Sequence, residues 1–121
     1  MSKRILAVDD SKTIQQMVSF TLEEAGYDVT IGGDGQQGLD ALEAGEFDVI
    51  ITDVNMPVMD GLTFISKVRA QPKYAGMPIL VLTTDGSEKT KMRGREVGAT
   101  GWIVKPFDPE KLLAVISKVS P

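Results

Sequence analysis

Phe47-Asp48-Val49-Ile50-Ile51-Thr52-Asp53-Val54-Asn55-Met56-Pro57-Val58-Met59-Asp60-Gly61 is the stretch on which the reading of the chain turns. Its apolar run, Val49 to Ile51, shows no polar alternation and is followed at once by turn residues, the pattern of a short strand buried on both faces. Such a strand delivers Asp53 at its carboxyl end, where open α/β sheets bind their ligands. Taken alone, Asp53 reads more simply as a turn cap. What the other strands bring to the same edge decides between the two.

Upstream, Arg4–Val8 reads as a first strand ending in Asp9-Asp10. Ser11 caps a helix whose apolar stripe is Ile14, Met17, Val18, Thr21, Leu22 and Ala25, and Gly26 ends it. Asp28–Ile31 alternates polar and apolar, as an edge strand does. Gly32, Gly33 and Gly35 then predict a loop, and Leu39, Ala41 and Leu42 a short second helix ended by Gly45. Downstream, Leu62, Phe64, Ile65 and Val68 predict a third helix that stops around Pro72. Ile79–Leu82 is another wholly apolar strand, leading into Thr83-Thr84-Asp85. A fourth helix, roughly Ser87 to Val97, has few large apolar residues beyond Met92 and Val97 and contains Gly94. Gly101–Val104 is a short fifth strand reaching Lys105-Pro106. Asp108 caps and Pro109 opens a last helix with Leu112, Leu113, Ile116 and Val119 facing inward.

Strand–helix units following one another without a linker or repeat predict one α/β domain over residues 1–121, with no output domain attached. The sheet is parallel, with helices on both faces and right-handed crossovers. The first, third and fourth strands, the most apolar, belong inside, and the second and fifth at the edges. A 2-1-3-4-5 order satisfies this placement, although composition alone does not select it.

Composition removes whole classes of chemistry. With 42% hydrophobic and 25% charged residues the chain is of ordinary globular type. No apolar stretch is long enough to span a bilayer, and Met1-Ser2-Lys3-Arg4 lacks a signal-peptide core, so a cytoplasmic protein without membrane insertion is expected. The absence of cysteine excludes disulfides and thiol chemistry. The absence of histidine excludes Ser–His–Asp catalysis and His-ligated zinc. It also means that any phosphoryl group carried on histidine comes from another protein. A net charge of −4 does not favour nonspecific nucleic-acid binding, and no DNA binding is expected.

In a parallel sheet all strand carboxyl ends share one side, so Asp9 and Asp10, Asp53, Thr83 and Lys105 are aimed at one rim from four strands. Crowded carboxylates repel one another unless compensated. A hard cation resolves this, and an oxygen-only donor set suits Mg²⁺, which completes its shell with water and phosphate oxygens. A carboxylate can attack phosphorus to give an aspartyl phosphate. Lys105 would then neutralise the transferring oxygens while the Thr83 hydroxyl donates to one of them.

The acidic pair after the first strand, the Asp53-Val54-Asn55-Met56-Pro57…Asp60-Gly61 segment, Thr83 and Lys105-Pro106 together resemble the receiver domain of two-component response regulators, above all its stand-alone chemotaxis members. The resemblance covers essentially the whole chain. It implies the doubly wound, flavodoxin-like (βα)5 fold with strand order 2-1-3-4-5 and a cis Lys105–Pro106 bond. It makes Asp53 the phosphoacceptor. Asp10, Asp53 and the Asn55 carbonyl would bind Mg²⁺ directly, with Asp9 assisting through water, while Thr83 and Lys105 contact the phosphoryl group.

The resemblance also implies a switch, in which Thr83 is drawn inward and an aromatic side chain, here Trp102, follows. Members of the family usually have tyrosine or phenylalanine at that position, so the larger indole is expected to turn inward less fully. Asn55, Thr84 and Asp85 are expected to tune dephosphorylation. The implied phosphodonor is a histidine kinase of the chemotaxis, CheA-like type. The implied listener is a separate effector, such as the flagellar motor switch, with a phosphatase as a further partner. The fourth helix, with its thin apolar stripe, is expected to respond, and Lys91, Arg95 and Trp102 to offer a docking face to an acidic partner segment.

Other readings stay open at this stage. A phosphate sink would drain a shared kinase without binding an effector. A phosphohydrolase of the haloacid-dehalogenase type would carry Asp-x-Asp after the first strand, which Asp9-Asp10-Ser11 does not match. A flavodoxin-like electron carrier would need a hydroxyl- and glycine-rich loop there, and none is present.

Overall fold

The structure is a computed structural model describing residues 2–121; Met1, counted in the expected domain, lies outside the described residues. Strands and helices alternate as β1 (Arg4–Val8), α1 (Lys12–Glu24), β2 (Asp28–Gly32), α2 (Gly35–Ala44), β3 (Val49–Thr52), α3 (Gly61–Arg69), β4 (Ile79–Thr83), α4 (Glu88–Val97), β5 (Gly101–Val104) and α5 (Pro109–Val119). A 3-10 turn, Pro72–Tyr74, follows α3. All pairings are parallel and the order is β2-β1-β3-β4-β5. The apolar runs account for this order. Every residue of β3 and β4 is buried, whereas β2 and β5 are largely half-buried edges.

Successive residues of a strand point to opposite faces, and β1 therefore feeds two cores. Ile5 and Ala7 pack with Val18 and Leu22 of α1 and with Leu112 and Ile116 of α5. Leu6 and Val8 pack with Leu42 of α2 and with Phe64, Ile65 and Val68 of α3. Full burial of such a side chain stabilises the fold by roughly 1.5–3 kcal/mol. Helix α4 adds only the half-buried Val97 to this second layer, as its sparse apolar stripe predicted.

Each helix starts on a side-chain cap: Ser11, Asp34, Asp60, Ser87 and Asp108 accept an amide of their own first turn. Such caps are worth about 1 kcal/mol each. The expected glycine loop is shorter than its composition suggested. Gly32 ends β2 and Gly35 is already helical, behind the Asp34 cap. Gly38 lies inside α2 because a Cβ there would come within 2.8 Å of the Phe64 ring and 3.0 Å of Val8. These glycines permit close packing of helix on sheet. The third helix stops at Arg69, before Pro72, with Ala70 as its C-cap. On α1, Val18 and Leu22 of the expected stripe are buried, while Met17 and Ala25 are exposed.

Candidate functional site

The carboxyl ends of β1, β3 and β4 meet at the rim that the strand pattern predicted. Parallel pairing sets Val8 beside Thr52, so the residues that follow, Asp9 and Asp53, emerge side by side. Both are buried, with Asp53 only 8% exposed. Lys105, just beyond β5, reaches across the sheet edge. Its Nζ donates to Asp9 Oδ2 at 2.7 Å and to Asp53 Oδ2 at 2.9 Å. Burial alone would pull the pKa of this amine down. Hydrogen bonds from it to Asp9 and Asp53, with the charge of both, outweigh that and hold it above the ordinary lysine value.

The remaining carboxylate oxygens are held by backbone. Asp9 Oδ1 accepts from the Ser11 amide at 2.9 Å, and Asp53 Oδ1 accepts from the Val54 amide at 2.6 Å. Asp10 lies beside them and is exposed, and the three acids can bring ligand oxygens within 4.8 Å of one another. One ammonium group does not balance three carboxylates. The donors are all oxygen, so the residues present fit a hard divalent cation. Asn55 is exposed on the outgoing turn. That turn is locked from below. The Gly61 amide donates to the Val54 carbonyl at 2.7 Å, and a Cβ on Gly61 would fall 1.8 Å from the Asp53 carbonyl oxygen.

Thr83 is fully buried at the end of β4, and its hydroxyl accepts from the Asp85 amide at 3.3 Å. Thr84 is exposed. Asp85 turns its carboxylate toward α4, taking the Ser87 amide at 2.9 Å and the Thr90 hydroxyl at 2.7 Å. Ser87, through its hydroxyl and amide, and then Thr90 stabilise the ionised form and hold Asp85 below the usual aspartate range. The Asp85 carbonyl accepts from the Trp102 indole Nε1 at 3.0 Å. Backbone and side chain of this one residue thus link Thr83, Trp102 and the start of α4.

Trp102 lies over Gly94 of α4, where a Cβ would meet the indole Cζ3 at 2.4 Å. Gly94 is therefore the seat of the indole as well as a weak helix former, a role with no local signal in the sequence. Lys91, Arg95 and Trp102 come together around a cavity of about 190 Å³. Sequence reasoning also passed over Gln15 and Arg69. Gln15 Nε2 donates to the Asp9 carbonyl at 2.6 Å, fixing the loop after β1. Arg69 donates from Nε and Nη2 to the Gly98 carbonyl at 3.0 and 2.9 Å and from Nη1 to the Tyr74 carbonyl at 2.7 Å. Burial lowers the pKa of this guanidinium. The Lys105–Pro106 bond is cis.

This sheet, with buried acids and a buried threonine gathered on one lysine-bridged rim, defines an α/β domain built around an acidic pocket. Residues 5–117 match the response regulator receiver domain family, and the chain belongs to it. Receiver domains are phosphoacceptor switches served by histidine kinases and read by effector proteins, and they typically use Mg²⁺ at an acidic pocket.

A chemotaxis protein CheY homolog of Campylobacter jejuni is 40% identical over 111 residues, covering 90% of this chain and 85% of that protein. The structure of the Vibrio cholerae chemotaxis protein CheY4 superimposes with a TM-score of 0.94 at 52% identity, covering 98% of this chain and 99% of that one. The alkaline phosphatase synthesis transcriptional regulatory protein PhoP of Bacillus subtilis is 36% identical over 119 residues, and the chain spans about half of its length, 49%.

Proposed function

We propose that the chain is a phosphorylation-dependent switch that accepts a phosphoryl group on Asp53 from a histidine kinase and thereby changes its affinity for a separate effector in chemotaxis. The observation that carries the reading is the buried Lys105 amine bridging Asp9 and Asp53. An oxygen of Asp53 forms the new P–O bond as the P–N bond to the donor imidazole breaks. Lys105 follows the charge onto the phosphoryl oxygens, and the Thr83 hydroxyl, one strand away, donates to one of them. Asp10, Asp53 and the Asn55 carbonyl would hold Mg²⁺, with Asp9 assisting through water, and the ion would supply positive charge against the phosphoryl oxygens. Asn55, Thr84 and the backbone of Asp85 border the approach of hydrolytic water and tune the lifetime of the phosphoryl group.

Drawing Thr83 toward a phosphoryl group removes its bond to the Asp85 amide, and Asp85 holds both Trp102 and the cap of α4. The effector then reads the face formed by Lys91, Arg95 and Trp102, whose cations suit an acidic segment such as one of the flagellar motor switch. Similarity to chemotaxis proteins supports this choice of pathway. The test is phosphotransfer from histidine kinases, with phosphoramidate as a small donor. Wild type is expected to take label in the presence of Mg²⁺ and Asp53→Asn to take none. Equal labelling of the two proteins would refute the assignment.

A further inference from the structure

Three residues, Asp9-Asp10-Ser11, join β1 to α1, and the first two belong to the acidic pocket. Asp9 is held at each of its polar groups. Its amide donates to the Gly32 carbonyl of β2 at 3.0 Å, Oδ1 accepts from the Ser11 amide at 2.9 Å and Oδ2 from Lys105 Nζ at 2.7 Å. Its carbonyl accepts from Gln15 Nε2 at 2.6 Å. Asp10 is exposed, so packing does not fix its carboxylate. The bearing of Asp10 comes from the peptide plane between the two acids, because a peptide unit turns as one rigid piece. The Asp9 carbonyl is one edge of that plane, and Gln15 is the side chain that holds it.

Gln15 is rooted in α1, where its amide donates to the Ser11 carbonyl at 2.9 Å. Turned end for end, the carboxamide would set its own oxygen against the carbonyl oxygen at the same short distance, so the donor end faces the loop. A void of about 10 Å³ beside Gln15, bordered by Ala7, Val18, Asp53 and Leu82, leaves the side chain unwedged on that side. Hydrogen bonding rather than close packing therefore sets the carboxamide. An uncharged donor aimed at backbone adds no charge to the pocket and leaves the acids free to hold a cation. We propose that Gln15 is a positioning residue for the divalent-cation site. By holding the Asp9 carbonyl it sets the peptide between the two acids, which keeps the Asp10 carboxylate within 4.8 Å of those of Asp9 and Asp53. This rests on the Mg²⁺ reading above.

The probe is MgCl₂ alone, titrated by calorimetry into the full chain and its variants at about pH 8 and constant ionic strength. Gln15→Met keeps the length of the side chain and loses the donor, and its Mg²⁺ affinity is expected to fall roughly tenfold. Gln15→Glu, ionised at this pH, adds a negative charge but also loses the donor, and its affinity is expected to fall as well. Gln15→Arg adds a positive charge but keeps a donor, and is expected to bind Mg²⁺ more tightly than Gln15→Met. Charge alone predicts the opposite, with Gln15→Glu binding most tightly and Gln15→Arg least. Val18→Ala, which opens a cavity under the same helix, is expected to lower the urea midpoint at unchanged Mg²⁺ affinity. With phosphoramidate as donor, the Mg²⁺ concentration for half-maximal labelling of Gln15→Met should rise by the same factor, while the rate at saturating Mg²⁺ stays that of wild type. Wild-type Mg²⁺ affinity in Gln15→Met, with only the urea midpoint lowered, would overturn the proposal by reducing Gln15 to a structural tie. Tighter binding by Gln15→Glu than by wild type would also overturn it, in favour of charge. Absence of Mg²⁺ binding by wild type would instead refute the cation reading itself.

Discussion

Gly61 and Gly94 each stand where a Cβ has no room, but against different neighbours. At Gly61 the obstacle is the carbonyl oxygen of Asp53, backbone of the central strand's exit. At Gly94 it is the ring of Trp102, a side chain with rotamers to spare. Backbone gives way only if the fold does, whereas an indole can swing aside. The first contact fixes the turn after Asp53 to the sheet; the second joins α4 to β5 by a contact that can be broken and remade. The molecule is thus rigid beside Asp53 and yielding where α4 meets β5.

Gly61→Ala is the change most able to break this contrast. It should cost about 3 kcal/mol or more by forcing backbone apart, seen as a large drop in the urea midpoint. Gly94→Ala should cost less than that and instead unseat the indole. Because Trp102 is the single tryptophan, its emission would shift and the Asp85 bond would be lost while urea unfolding remained cooperative. A cost equal to that of Gly61→Ala would abolish the distinction.

Arg69→Gln tests the far end of α4, where the guanidinium holds the Gly98 carbonyl. Loss of that bond should destabilise by about 1–3 kcal/mol and speed amide exchange in the last turn of α4 more than in the first. Ser87→Ala, at the near end, should cost about 1 kcal/mol and speed exchange mainly in the first turn.

The smallest expected effect is one of pH. Asp85 has a depressed pKa in the fold, so its carboxylate contributes stability that is fully present above the unfolded aspartate value of about 3.9. That contribution fades as pH falls through the lower folded value. The difference in unfolding midpoint between wild type and Asp85→Asn should therefore be constant from about pH 5 to 8 and close below about pH 4. A gap that widened on acidification would contradict the hydrogen bonds seen at this cap.

The contrast also separates what the sequence discloses from what it withholds. Strands β1, β3 and β4 are legible because apolar runs ended by turn residues have one economical explanation. The residues Asp9, Asp53, Thr83 and Lys105 follow strand ends, so parallel topology alone gathers them. Gly35 misleads because a glycine admitting a neighbouring Met59 looks, locally, like a glycine bending a loop. Arg69 and Gln15 give no sign because their acceptors are backbone carbonyls, which every residue has. The orientation of the Asp85 carboxylate depends on whether Ser87 and Thr90 outbid the pocket, a competition settled only by where α4 begins.

Arg69 gives α4 a mechanical character. With its Gly98 end bonded through two nitrogens to α3, the helix is a lever of about 15 Å whose fulcrum is at the carboxyl terminus. A tilt of roughly 10° there carries the Ser87 end through about 2.6 Å. In the proposed switch a hydroxyl moving at Thr83 would act, through Asp85, on the Ser87 end, where the same tilt carries the helix furthest.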